Sequence, residues 1–292
     1  MKKPIFVGSA VALVTPFDEN GVNFKKIEEL VEYHIAHKTD AIVVCATTGE
    51  APTLEDDDHK KALLTAVRTA KGRIPIIAGT GSNYTDHAIM MSQYAEEIGC
   101  DGVLLVTPYY NKTTQRGLYQ HFKAIAESTT LPIILYNIPG RTAVAISLET
   151  YIALDKFPNI VGVKEATGDV ALASRIINNT EFNVYSGNDD IIVPIMSVGG
   201  KGVISVVANI MPEETHNVCM DYLNGETDKS RKQFLSMLDL IDSLFCEVNP
   251  VPIKTAMNIL GFDVGGVRLP LFEMEDKNID RLKNSLKKCN LI

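Results

Sequence analysis

The chain has 292 residues, of which 46% are apolar and 22% charged, so it can build one large core or two ordinary ones. Its formal net charge of -8 and pI near 5.3 argue against a nucleic-acid surface, which needs clustered Lys and Arg side chains. No apolar run approaches the ~18 residues that cross a bilayer, so we expect a small-molecule partner, no nucleic acid and no membrane.

Two features of the sequence favour a cytoplasmic location. The N-terminal sequence MKKPIFVGSAVALV imitates a signal peptide, but Gly8 and Ser9 interrupt its apolar region, and a first strand explains it better. The five cysteines are scattered, odd in number and without the spacing of a disulfide framework or a zinc site. We therefore expect reduced thiols.

Eight short β-branched runs recur along the chain, each followed by a stretch with helical periodicity. The predicted strands span 7–14, 41–46, 74–79, 102–107, 132–137, 160–165, 182–187 and 202–207. Segments such as 23–37, 54–72 and 85–99 carry apolar residues at steps of three and four, which indicates helices between the strands. Eight such repeats predict an α/β protein with a (β/α)8 TIM barrel.

An open doubly wound sheet is the alternative, but it usually carries a GxGxxG turn after its first strand. The nearest candidate here, Gly79-Thr80-Gly81, lacks the third glycine and follows the third strand. The residues after the eighth strand show helical patterns only. We therefore predict a barrel over residues 1–225 that carries the active site, and a C-terminal helical appendix over residues 226–292.

A lysine lies in the sixth predicted strand, IVGVKE. Strand alternation places Ile160, Gly162 and Lys164 on one face, so an inward Lys164 has space below it at Gly162. The ordinary alternative is a lysine that extends from the strand end into solvent. A mostly apolar barrel interior disfavours the charged ammonium, and a neutral amine attacks carbonyls to form a Schiff base. Lys164 is therefore a candidate nucleophile.

Further polar residues follow other strands at the same rim, where TIM barrels keep their active sites. Tyr136 ends the fifth strand and could shuttle protons, with Thr48 orienting its hydroxyl; a core aromatic is the alternative. Thr47, Thr48 and Gly49 form a turn suited to a small carboxylate, although a helix-capping turn has the same composition. Arg141 could bind a second carboxylate, or form a surface ion pair.

Other motifs argue against phosphate and metal. GGKG at 199–202 precedes the eighth strand, so it lies at the opposite end of the barrel, and Asp189 and Asp190 follow the seventh strand. The six histidines show no metal-binding pair such as HExxH. We expect an unphosphorylated substrate and no metal.

The motifs TTGE, TPYYN, YNIPGRT, GVKEATGD, SGND and GVIS occur in this order along essentially the whole chain. With them the sequence resembles the pyruvate-dependent class I aldolases of the dihydrodipicolinate synthase and N-acetylneuraminate lyase superfamily. The resemblance implies a lyase that condenses pyruvate with aspartate-4-semialdehyde, in lysine and diaminopimelate biosynthesis, through a lysine imine and without a cofactor. Arg141 favours this reaction, because the sialic-acid lyases generally lack an arginine there.

Two alternatives remain beside that reaction. One is a lyase or aldolase acting on a sugar-derived 2-keto acid through the same imine. The other is a barrel without activity that binds a keto acid or serves as a scaffold, because a fold alone does not establish activity.

The resemblance also implies roles for individual residues. Lys164 would form the imine with pyruvate and Tyr136 would transfer protons. Thr47 and Thr48 would bind a carboxylate or join a relay of Thr48, Tyr136 and Tyr110. The remaining substrate-binding positions would be Arg141 for the semialdehyde carboxylate, Gly187 for a backbone contact and Ile204 for an apolar wall.

A further implication is self-association. In the family the residue matching Tyr110 comes from the neighbouring subunit, which requires at least a tight dimer with Tyr109 and Tyr110 near its interface. Family precedent favours a homotetramer built as a dimer of dimers.

We predict weak or absent feedback inhibition by lysine. Family members that lysine inhibits carry a Ser and a His after TTGE, whereas this chain has Ala51, Pro52 and Asp56 there. Three other positions still fit that site: His59, Asn83 and Tyr109. A steady-state assay with added L-lysine checks this, and a submillimolar inhibition constant would contradict it.

Overall fold

Eight parallel strands form a closed barrel in the computed structural model, which describes the whole chain, residues 1–292. The strands are β1 (Gly8–Ala12), β2 (Ala41–Val44), β3 (Ile76–Gly79), β4 (Gly102–Val106), β5 (Ile133–Asn137), β6 (Ile160–Glu165), β7 (Asn183–Ser186) and β8 (Gly202–Ser205). Each strand pairs with the next, and β8 closes the barrel on β1, where Gly202 is the register partner of Gly8. The predicted TIM barrel and its eight strands are confirmed.

Helices surround the barrel and continue beyond its last strand. They are α1 (Phe24–Ala36), α2 (Asp56–Ala70), α3 (Thr85–Glu97), α4 (Gln115–Ala126), α5 (Pro139–Thr142), α6 (Leu148–Leu154), α7 (Val170–Asn179), α8 (Ile192–Ser197), α9 (Pro212–Leu223), α10 (Thr227–Leu244), α11 (Val251–Ile259) and α12 (Asp276–Lys288). A small antiparallel hairpin, 17–18 with 21–22, was not predicted. None of the helices combines the length and the apolar character that crossing a membrane requires.

The first helix shows how the local sequence sets an element. The Asn23 side chain caps α1 by accepting a hydrogen bond from the Lys26 backbone N–H. Ile27, Leu30 and Val31 are buried at steps of three and one, so they lie on the face of α1 that packs toward the barrel. The capping residue and the apolar face are both visible in the sequence, which explains why the helix was predicted within one residue at each end.

The strands are apolar along their whole length because both faces of the sheet are covered. Outward side chains such as Ile42 and Val44 of β2 belong to the large core between the strands and the helices. Inward side chains such as Ala41 and Val43 belong to a separate, smaller cluster inside the barrel. A parallel sheet buried on both sides reads as a continuous apolar run, as these strands do.

A buried ion pair fastens the C-terminal helices to the barrel mouth. Lys254 of α11 lies with its Nζ 2.9 Å from Glu50 Oε1 and donates a second hydrogen bond to the Thr15 carbonyl at 2.9 Å. The other carboxylate oxygen, Glu50 Oε2, accepts from the Arg268 backbone N–H at 3.0 Å. Both side chains of the pair are at most 2% exposed. That residues 1–225 and 226–292 are distinct domains stays a prediction.

We expect Lys254→Ala to lower the free energy of unfolding by about 3–5 kcal/mol, because it leaves the Glu50 carboxylate buried without a partner. Urea unfolding followed by circular dichroism measures the loss. The matched control is Lys38→Ala, which removes the exposed Lys38–Glu213 pair and should leave stability close to the wild-type value. Equal losses for the two variants would contradict the prediction.

Candidate active site

The carboxyl ends of the strands open into a cavity of about 360 Å³, referred to below as the mouth cavity. It is bounded by the loops after β2, β3, β4 and β5 and by residues of the C-terminal segment. The polar side chains that line it include Thr47, His59, Tyr109, Tyr136, Arg141 and Asn249. Apolar walls come from side chains such as Leu104 and Ile138. The position agrees with the expected face of a TIM barrel.

Lys164 lies inside the barrel and is 4% exposed. It is the register partner of Tyr136 on β5 and of Tyr185 on β7, so the three residues lie side by side on neighbouring strands. Its Nζ lies 4.3 Å from the centroid of the Tyr136 ring. Tyr136 lines the mouth cavity and Lys164 does not, so the Tyr136 ring connects the amine to the cavity. Burial of Lys164 argues against the solvent-exposed alternative.

Gly162 makes the space below Lys164 that the sequence suggested, and an aromatic ring fills it. A Cβ at Gly162 would lie 3.3 Å from Tyr185 Cε2 and 2.8 Å from the Asn183 carbonyl oxygen. Tyr185 stacks on Phe6, with 4.4 Å between the ring centroids, and its hydroxyl donates to the Phe6 carbonyl at 2.8 Å. The stacked pair closes the interior beneath the lysine.

A fully buried carboxylate lies near the amine. Asp189, after β7, accepts hydrogen bonds at Oδ2 from the backbone N–H groups of Val206 and Val207, at 3.0 and 2.9 Å. Burial raises the pKa of Asp189, while those N–H groups and the positive charge of Lys164 act in the opposite direction. Asp189 therefore holds the end of β8, a role that the sequence did not indicate.

The turn after β2 presents its two threonines differently. Thr47 is partly exposed and lines the mouth cavity, whereas Thr48 is 2% exposed and does not line it. Thr48 Oγ1 accepts a hydrogen bond from Asn249 Nδ2 at 3.0 Å. The turn passes close to β3, where a Cβ at Gly79 would lie 2.2 Å from the Cys45 carbonyl oxygen. Only glycine at position 79 leaves room for this approach.

Arg141 lies on the short helix α5 and forms part of the cavity wall. Its guanidinium Nη2 donates to the Asn249 backbone carbonyl at 2.9 Å. It forms no surface ion pair, which was the alternative for this residue. The other guanidinium N–H groups remain free for a planar anion.

The structure does not bring every predicted residue to the cavity. Tyr110 is 92% exposed and lies outside it, while its neighbour Tyr109 is part of the lining. Ile204 is buried in the barrel interior, in the same apolar cluster as Tyr136. Gly187 follows β7, and its N–H donates to the Glu165 carbonyl at 2.7 Å.

Sequence reasoning missed Asn249. It is 6% exposed, lines the mouth cavity and contacts both Thr48 and Arg141. The only local signal is the Asn-Pro dipeptide at 249–250, which indicates a turn and carries no chemistry.

His59 is the buried histidine of the cavity wall. Burial lowers its pKa from 6.5 to about 4, against a smaller opposing effect of a hydrogen bond with the Gly79 backbone. Its imidazole is therefore neutral at pH 7. No group of three or more His, Cys, Asp or Glu side chains in the chain is arranged to hold a metal ion.

Known proteins resemble this chain over its whole length. The sequence model of the dihydrodipicolinate synthetase family matches residues 5–289. The 4-hydroxy-tetrahydrodipicolinate synthase of Acetivibrio thermocellus is 52% identical over 292 residues, covering 100% of both chains. The crystal structure of dihydrodipicolinate synthase from Aquifex aeolicus superimposes with a TM-score of 0.96 at 46% identity, covering 98% of this chain and 99% of that one. A dihydrodipicolinate synthase described as the first monomeric variant gives a TM-score of 0.96 at 40% identity, covering 99% and 98%.

We expect His59 to stay neutral between pH 8 and pH 5. Its pKa in the folded protein, about 4, lies below the value of 6.5 in the unfolded chain, so the unfolded state takes up a proton first as the pH falls. The contribution of His59 to stability is thus complete above pH 6.5 and is lost as the pH falls toward 4. NMR titration of ¹³C-labelled histidine, with His59→Gln to assign the signal, measures the pKa, and a midpoint near 6.5 would contradict the prediction.

Proposed function

The chain belongs to the dihydrodipicolinate synthetase family, and from this premise we infer that it condenses pyruvate with L-aspartate-4-semialdehyde to give 4-hydroxy-tetrahydrodipicolinate. The reaction is a Schiff-base condensation of the class I aldolase type, catalysed by a lyase of lysine and diaminopimelate biosynthesis. The full-length relatives do not favour the alternative of a lyase for sugar-derived 2-keto acids. The observation that carries the chemistry is the buried Lys164 amine against the Tyr136 ring.

Lys164 supplies the nucleophile in the proposed mechanism. The neutral amine attacks the C2 carbonyl of pyruvate, and loss of water from the carbinolamine gives the imine. Removal of a proton from the pyruvyl methyl group gives an enamine, which attacks the aldehyde of the second substrate. The amino group of that substrate then attacks the imine carbon, which closes the ring and releases the Lys164 amine. Tyr136 lies against the amine and also faces the cavity, so we assign it the proton transfers of these steps.

The remaining predicted residues bind the two substrates. The turn at Thr47 and Thr48 offers hydroxyls and backbone N–H groups to the pyruvate carboxylate. Arg141 binds the semialdehyde carboxylate through the N–H groups that Asn249 leaves free. Gly187 and Ile204 serve as a backbone contact and an apolar wall for the pyruvyl group. The covalent imine replaces a cofactor.

Tyr110 requires a second subunit for the role assigned to it. It is 92% exposed, and its backbone has φ 67°, a conformation uncommon for a residue other than glycine. A second copy of the chain would cover the ring and bring Tyr110 to the relay of the partner's site. We propose a tight dimer as the active unit and a homotetramer in the cytoplasm, although one relative is described as monomeric.

We expect borohydride to trap a pyruvyl adduct on Lys164, because reduction fixes the imine irreversibly. Incubation with pyruvate and borohydride, followed by peptide mass mapping, identifies the modified residue. The Lys164→Arg variant should give no adduct, since a guanidinium does not form the imine. An unmodified Lys164 in folded wild-type protein would overturn the proposed function.

Arg141→Ala is the matched control for this experiment. Arg141 binds only the second substrate in the proposed mechanism, so pyruvate should still be trapped on Lys164 in the variant. The condensation with aspartate-4-semialdehyde should be lost. Product formation from pyruvate and the semialdehyde, compared with N-acetylmannosamine as the aldehyde, also tests the lyase alternative.

We expect subunits with Tyr110→Phe and subunits with Lys164→Ala to restore activity when they are mixed. Each variant alone should lose about 10²-fold or more in kcat, since a proton-transfer group or the nucleophile is missing. In a mixed dimer one site has an intact Lys164 and receives an intact Tyr110 from the partner. Activity of the mixture measures this, and no recovery in mixed dimers separated by affinity tags would place Tyr110 outside the partner's site.

A further inference from the structure

We propose that Asn249 is a positioning residue that fixes the direction of the Thr48 hydroxyl, so that the hydroxyl donates its proton to the carboxylate of pyruvate. The proposal rests on the proposed function and assigns the C-terminal segment a part in binding the first substrate.

The direction follows from the hydrogen-bonding capacity of the two groups. Asn249 Nδ2 can only donate, and it donates to Thr48 Oγ1 at 3.0 Å. A threonine hydroxyl has a single proton. Because the Asn249 amide already donates to one lone pair of the Thr48 oxygen, the hydroxyl proton must point away from Asn249. Thr48 is 2% exposed and has no acceptor for that proton within the chain. The hydroxyl is a buried donor that awaits an acceptor.

The surroundings of Thr48 indicate an anionic acceptor. Thr48 lies in the turn Thr47-Thr48-Gly49, whose backbone N–H groups also suit a carboxylate. A hydrogen bond to an ionised acceptor is stronger than a neutral one, so the bond from Thr48 to a carboxylate would contribute to binding. A hydroxyl that already points at the carboxylate contributes more than one that must first be oriented. Pyruvate is the substrate whose carboxylate accompanies the carbonyl that Lys164 attacks.

The Asn249 side chain carries a cost to stability. Its Oδ1 atom is buried and has no hydrogen-bond partner. A buried carbonyl oxygen without a partner destabilises a fold, and an apolar side chain of similar size would avoid the cost. The one hydrogen bond that the amide makes from its side chain is the bond to Thr48.

The two partners are held in place from both sides. Glu50, two residues after Thr48, pairs with Lys254, five residues after Asn249, in the buried ion pair. The Asn249 backbone carbonyl accepts from Arg141. A change of the Asn249 side chain removes the bond to Thr48 and leaves the bond to Arg141, because the latter uses the backbone. Pyruvate and semialdehyde binding are therefore separable by mutation.

The test measures half-saturation by pyruvate in borohydride trapping on Lys164, together with KM for each substrate. For Asn249→Ala we expect half-saturation by pyruvate to rise about 5- to 20-fold, the effect of weakening one hydrogen bond to a charged group, with KM for the semialdehyde within about twofold. Asn249→Leu, close in volume and without polar atoms, should give the same shift and keeps the test valid if the alanine variant folds poorly. The control is Asn178→Ala, which changes an exposed asparagine on α7 and should leave half-saturation by pyruvate at the wild-type value.

Double variants distinguish positioning from general damage to the fold. In a Thr48→Val background the hydroxyl is absent, so adding Asn249→Ala should change half-saturation by less than about twofold. In a Thr48→Ser background the hydroxyl remains, and the full effect of Asn249→Ala should return. Two results would overturn this proposal, provided that the wild-type protein still forms the imine. One is a full effect of Asn249→Ala in the Thr48→Val background, and the other is an unchanged half-saturation by pyruvate in the Asn249→Ala single variant. A wild-type protein that forms no imine would overturn the proposed function itself.

Discussion

The position of Lys164 depends on the closure of the barrel. A sheet that closes on itself buries both faces, so each inward side chain must fit among those of the neighbouring strands. The shared register of Tyr136, Lys164 and Tyr185 places Lys164 between two tyrosines, with its amine against the Tyr136 ring that lines the mouth cavity. The stacked Tyr185 and Phe6 rings fill the interior below it. The proposed imine chemistry relies on that geometry.

The mouth of the barrel is completed by parts of the chain that are distant in sequence. In the proposed mechanism the turn at Thr47 and Thr48 binds the carboxylate of pyruvate, and Arg141 binds the carboxylate of the second substrate. Asn249 contacts both, through its side chain and its backbone. The Lys254–Glu50 pair holds this arrangement in place, because moving either side chain away would leave the other charge buried without a partner. One anchor thus positions both binding groups.

Much of this architecture could be predicted from the sequence, and what was missed has a physical reason. The strands and the inward position of the Lys164 side chain were predicted because strand alternation and βα repetition are local patterns. Asn249 was not, because its bond to Thr48 joins residues 201 positions apart and its local sequence indicates only a turn. Asp189 was considered only as a residue that disfavours phosphate, because the backbone N–H groups that bind its buried carboxylate leave no pattern in the sequence. The surroundings of Tyr110 depend on a partner chain.

The attachment of the C-terminal helices has a consequence for synthesis of the protein on the ribosome. All eight strands of the barrel have been synthesised once Ser205 is added, but Asn249 and Lys254 follow more than forty residues later. A nascent chain can therefore close its barrel around Lys164 while Glu50 still lacks its cation and Thr48 its amide partner. On the proposed role of Asn249, the pyruvate site is complete only after the segment that carries Asn249 and α11 has docked on the barrel.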